Sequence, residues 1–171
     1  AGLMALAELA GSEAARVQGS ELFEAAADQF TPDHSPLDWV AVRLARADGD
    51  TPLLVLAEAE ALSREPGLIL GAPARERRLT AEAALTEAMG DVEALTGLEA
   101  VVRRRLSEAA RVEPLDWAAD QIGMARLALS RSRLTATEPR AVGLMLAEAA
   151  ATAREWGVPA LARRAETPGA A

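Results

Sequence analysis

One stretch occurs twice in this chain and constrains its fold more than any other feature. Pro36-Leu37-Asp38-Trp39-Val40 and Pro114-Leu115-Asp116-Trp117-Ala118 stand 78 residues apart. Each copy is built to open a helix. Proline is tolerated in the first turn, where its missing N–H had no partner to lose, and an aspartate two residues on faces the positive end of the helix dipole. The chain has only three tryptophans, and two of them sit at the same place in this motif. A spacing of 78 also divides into two units of about 39, which implies a third, more divergent unit between the copies.

The composition agrees with a helical reading. Half of the 171 residues are hydrophobic, yet aromatics make up only 3%, and alanine and leucine supply most of the apolar content. Alanine has the best helix propensity and lets helix backbones approach closely. There is no cysteine, so disulfides, thiolate metal sites and cysteine nucleophiles are excluded together. All 18 basic residues are arginine, a bias read as coding composition. A net charge of −8 argues against general nucleic-acid binding, which needs a basic footprint, and against docking on anionic membranes. No apolar run approaches the ~20 residues that span a bilayer, and residues 1–10 lack the basic start of a signal peptide. A cytoplasmic location is the expectation. The chain begins at Ala1, which suggests a segment of a longer bacterial protein.

Taken in order, residues 1–10 read as a short helix stopped by Gly11, and Ser12 as the cap of the next. Residues 31–35 form a loop, with Ser35 capping the helix of Trp39, which ends at Asp48-Gly49-Asp50. Thr51-Pro52 restarts a helix with Leu53, Leu56, Ala57 and Ala61 on one face. Leu68-Ile69-Leu70 reads as a packed loop, because Gly71 and Pro73 follow, and a helix from Ala74 carries Leu79, Ala83 and Leu85 to Gly90. Asp91 caps a helix with Leu95, Leu98, Val102, Leu106 and Ala109 at the 3–4 rhythm of a half-buried face. The second tryptophan helix runs from Pro114 to about Ser130. A long polar loop to Glu138, a helix from Pro139 to Trp156 and a short helix from Pro159 follow, with residues 167–171 a frayed tail. Helices of this length with short connections pack as antiparallel neighbours, and a regular series of such pairs is an α-solenoid.

The residues Pro-Leu-Asp-Trp-Ala, then Gln121 four positions after Trp117 and the small Ala125 at eight, resemble the opening helix of tetratricopeptide repeats. In the unit from Pro36, Trp39 and Ala47 fit the same pattern, and Arg43 stands where Gln121 does. The resemblance implies an all-α fold: a right-handed superhelix of antiparallel helix pairs, with units at 1–30 (partial), 36–66, 73–111 and 114–156 and a C-terminal helix at 158–166, all one domain. It implies a concave face lined by first helices that binds peptides or proteins. The expected function is therefore a non-catalytic scaffold or adaptor. A helical sensor with a small ligand in its groove comes second, and an α-helical enzyme third.

Chemistry-bearing residues offer little beyond this. His34 is the only histidine and reads as a solvated loop residue, so no metal or cofactor is expected. The many glutamates at helical spacing include no Glu-x-x-His pair of the di-metal bundles. The glycines fit neither a phosphate loop nor a nucleophile elbow. Both repeated tryptophans are expected to pack between hairpins. Arg43, Arg46, Arg78 and Arg126, on first helices, are the candidates to grip an acidic or C-terminal carboxylate-bearing peptide, since arginine forks hold carboxylates bidentately. Arg103-Arg104-Arg105, on a second helix, is expected to be a solvated face. An exposed apolar edge at the N-terminal end would favour homo-oligomers.

Overall fold

Helix is what alanine-rich, proline-punctuated segments of this kind form, and the computed structural model of the chain is all-α. It describes residues 13–46, 51–65, 69–109 and 113–167. Eight helices occur among them: α1 Glu13–Gln29, α2 Pro36–Arg46, α3 Leu53–Leu62, α4 Gly71–Ala88, α5 Val92–Ala109, α6 Pro114–Thr135, α7 Val142–Glu155 and α8 Pro159–Glu166. The expected helix at 1–10, the Ser12 cap, the Asp48-Gly49-Asp50 turn, Ala47, Leu68 and residues 168–171 lie outside the described residues.

Several predicted boundaries hold because their chemistry is local. Asp91 accepts the Ala94 N–H at 2.8 Å, capping α5 as expected, and Gly90 before it takes φ +69°. Trp39 donates its N–H to the Ser35 carbonyl and Trp117 to that of Glu113, so both prolines open their helices. Others move. Helix α4 starts at Gly71 rather than Ala74, which leaves Pro73 inside its first turn, a place where a missing N–H costs nothing. Pro52 caps α3 from outside instead of opening it. Helix α6 runs on to Thr135, and α7 waits until Val142. Between them Ala136 and Ala141 both take left-handed φ, of 52° and 59°. The long polar loop is therefore shorter than expected, and Pro139 lies within it.

Packing follows the chain. Each helix lies on its sequence neighbour, α2 on α4 and α4 on α6 make additional contacts, and α8 reaches both α6 and α4. The core falls into three clusters. Trp39, Val40 and Leu44 of α2 meet Ala59 of α3 and Ala74 of α4. Leu79 and Ala83 of α4 meet Leu95 and Val102 of α5 and Met124 and Leu127 of α6. The largest joins α6, α7 and α8 through Ile122, Leu146, Leu161 and eight alanines, with Val158 and Ala72 of α4 beside them. So each pair, α2/α3, α4/α5 and α6/α7, buries its apolar side with the help of the helix that follows.

Small residues set the spacing. A Cβ on Gly123 would come within 2.5 Å of the Leu79 side chain, so α4 and α6 meet where α6 has no side chain. A Cβ on Gly71 would lie 2.6 Å from the backbone oxygen of Ser63, which closes the turn from α3 to α4. The face of α3 also differs from expectation. Leu56, Ala59 and Glu60 are buried while Ala61 is exposed, and on α4 Leu85 is exposed although Leu79 and Ala83 are not. No described helix is long and apolar enough to cross a membrane.

Candidate functional site

With so few large side chains, the helices are also joined by charge. Arg75 of α4 donates to Glu60 of α3 at 3.2 Å and pairs with Asp116 of α6 at 2.8 Å, bridging three helices. Arg78, one turn on, holds the other oxygen of Glu60 and pairs with Glu82. Burial pushes the Glu60 carboxyl up, but Arg78 and Arg75 outweigh it and hold the group below its ordinary range. Asp120 of α6 is fully buried and accepts both Nε and Nη2 of Arg105 on α5, at 3.1 and 2.7 Å. There desolvation dominates, and the Asp120 carboxyl is pushed up despite its partner. Arg131 donates to the buried Glu99 at 2.7 Å, tying α6 to α5, and Arg133 of α6 holds Glu87 of α4. Glu76 of α4, 1% exposed, takes Arg164 of α8 through both oxygens, at 3.0 and 3.1 Å, and the Thr80 hydroxyl at 2.9 Å.

Of the four arginines expected to converge, Arg43, Arg78 and Arg126 each lie against neighbours of their own. Arg78 is engaged by Glu60 and Glu82. Arg126 is buried and donates from Nη2 to the carbonyls of Arg164 and Thr167, closing the C-terminal end of α8. Burial lowers its guanidinium pKa. Arg43 lies over its own helix neighbour Trp39, 5.4 Å from the ring centroid. The side chain of Arg46 lies outside the described residues. Arg105, expected in a solvated strip, is instead the partner of Asp120, whereas Arg103 and Arg104 are exposed. Of the repeat residues, Trp39 and Ala125 are buried, while Trp117 and Gln121 are half-buried, and Trp117 packs against the α6–α8 cluster. His34 sits exposed in the turn before α2, its backbone N–H on the Thr31 hydroxyl. No group of three or more metal-ligating side chains occurs among the described residues.

What the fold builds instead is a groove of about 650 Å³ between α1, α2, α4 and α8. Phe23, Leu44, Leu70, Pro73 and Leu161 form its floor, and the exposed Ile69 stands at one end. Arg77 of α4 and Arg163 and Arg164 of α8 lie along it. Arg163 is exposed, at the end of α8 where the helix dipole is negative. The floor is made because α8 packs back onto α4, and the Glu76–Arg164 pair fixes that docking. Comparison of the chain with protein-family models, with curated proteins and with solved structures returns no match.

The groove arginines differ from those singled out by reading first helices alone. Arg77 stands between two arginines, Arg75 and Arg78, that are both spent on pairs, and nothing local marks it as the one facing the groove. Arg163 and Arg164 lie on α8, the short C-terminal helix that follows the α6/α7 pair.

Proposed function

We propose that this chain is a non-catalytic helical-repeat module of tetratricopeptide type, which binds a segment of a partner protein in the groove between α2, α4 and α8. The observation that carries this reading is the groove's composition: an apolar floor with arginines along it, in a protein of net charge −8. An apolar floor supplies affinity, and the exposed Arg163 selects for a carboxylate that the acidic remainder of the surface repels. Three further features support it. The groove is lined mainly by α2, α4 and α8, each the first helix of its unit, with Phe23 of α1 beside them and no residue of α6, the first helix of the unit between. Every pair completes its core with the next first helix, as stacked repeats do. The buried carboxylates Glu60, Glu76, Glu99 and Asp120 are each held by an arginine, which suits positioning of helices rather than proton transfer.

Selection of peptides from a displayed random library tests the reading. Enriched sequences are expected to combine aliphatic residues with Asp or Glu, and to lose binding to an Ala45→Arg variant, which fills the groove from exposed Ala45. Enriched peptides that bind this variant as well as the parent overturn the groove as the binding site.

A further inference from the structure

The groove continues past Ile69. That side chain, 58% exposed, also lines a second cavity of about 410 Å³. At a second place the chain passes from Trp156, in the cavity wall, to Gly157 and Val158, in the groove wall, so the two depressions adjoin at two points of the chain. The chemistry changes at this boundary. The second cavity is lined by four carboxylates, Glu60, Glu65, Glu113 and Asp116, against two guanidiniums, Arg64 and Arg75. Arg75 is already held by Glu60 and Asp116, so the charged groups left exposed are two acids, Glu65 and Glu113, against one base, Arg64, beside an indole that is 54% exposed. A hydrogen bond with Asp116, and its charge repulsion, push the Glu113 carboxyl up.

We infer that groove and cavity form one trough of reversing charge, which takes a partner segment with a carboxylate over Arg163, aliphatic side chains on the floor, and a lysine or arginine side chain against Trp156. This rests on the binding function proposed above and adds the partner's polarity to it. The indole face attracts a cation through its quadrupole, and Glu113 and Glu65 neutralise the charge. Leading acids and a trailing base fit only in one order along the trough, so the partner's charge sequence becomes part of its recognition.

The probes are synthetic peptides with two glutamates at one end, leucines in the middle and an arginine at the other, made in both chain directions. Matched versions carry citrulline, the neutral isostere of arginine, or glutamine for glutamate. Affinity is read by calorimetry and the place of binding by Trp156 emission, with Trp156→Phe as the blank. One direction is expected to bind. Citrulline should weaken it about tenfold, and that loss should vanish in Glu113→Gln. Glutamine should weaken it about tenfold as well, and that loss should vanish in Arg163→Glu. Binding that responds to Arg163→Glu and yet ignores citrulline and Glu113→Gln overturns the trough and leaves the groove reading intact. Binding that ignores Arg163→Glu overturns the groove reading itself, and so does failure of both directions to bind. All three substituted positions are exposed, so unchanged melting curves are expected to confirm folded variants.

Discussion

Asp120 and Glu60 are both buried carboxylates with arginine partners, yet they answer to pH in opposite senses. Glu60 is held below its ordinary value, so its contribution is present above the unfolded-state pKa and lost as pH falls through the folded one. Glu60→Gln should accordingly flatten the acid limb of a stability–pH profile. Asp120 is pushed up by burial, so the folded state holds its proton more tightly than the unfolded chain, and its ionisation costs stability as pH rises. Arg105→Ala strips the only guanidinium bonded to it among the described residues and should cost about 3–5 kcal/mol near neutral pH. That loss should shrink as pH is lowered and Asp120 protonates, whereas a penalty arising from lost packing would not change. Urea titrations of the variant at two pH values separate the two causes. The tryptophans differ in the same residue-by-residue way. Trp39→Ala should cost roughly 3–5 kcal/mol because its ring is buried, and Trp117→Ala less, because its ring is half-exposed. Much of this was hidden from the sequence. Pro36, Pro114, Gly90 and Asp91 announced helix boundaries because a boundary depends on neighbours a few residues away. Glu76 and Arg164 are 88 positions apart, and no local pattern joins them.

At the scale of elements, α4 and α6 are the axis on which the other helices are arranged, and they are close because Gly123 lets Leu79 in. Gly123→Ala would normally favour a helix through its propensity, by about 1 kcal/mol. Here the new methyl meets Leu79 at 2.5 Å, and the expected result is a net loss of stability of about 1–3 kcal/mol as α4 is forced away. Pairing Gly123→Ala with Leu79→Ala should recover part of that loss, and a double-mutant cycle measures it. Helix α8 is held by its buried Leu161, Ala162 and Ala165, by the Glu76–Arg164 and Arg154–Glu166 ion pairs, and by the Arg126 hydrogen bonds at its end, and of these the Glu76–Arg164 pair is the one that ties it to α4. Glu76→Gln should therefore raise amide exchange in α8 before it affects α4, seen by hydrogen–deuterium exchange. The helices themselves were legible from proline, glycine and apolar rhythm, but which face each one buries was less so. Alanines occur on all sides of α3 and α4, so a rhythm through Ala61 or Leu85 looked as good as one through Ala59 or Leu79, and only contact with the neighbouring helices decides between them.

For the whole molecule, the exposed side of α1 matters most. Val17 and Leu22 are both about half exposed there, at 49% and 57%. Concentration-dependent self-association is expected from this end, and Val17→Glu with Leu22→Glu should abolish it. Light scattering across a dilution series checks this, and a parent protein that stays monomeric at high concentration refutes it. The proposed partner binding belongs to the same scale. On that proposal the attraction is local to Arg163 in an acidic protein, so affinity should fall with added salt over the range in which the screening length drops below ~10 Å.

The ion pairs between helices also bear on temperature. Hydrating a charge becomes less favourable as water warms, so the desolvation cost of Glu60, Glu76, Glu99 and Asp120 falls on heating. A core made largely of alanine exposes less apolar surface on unfolding than one of leucine and phenylalanine, and less surface means a smaller change in heat capacity. Both effects flatten the stability curve. Scanning calorimetry should give a heat-capacity increment below about 12 cal/mol/K per residue. The protein should then lose stability only gently between cold and warm conditions, because charge holds its helices together where bulk would otherwise do so.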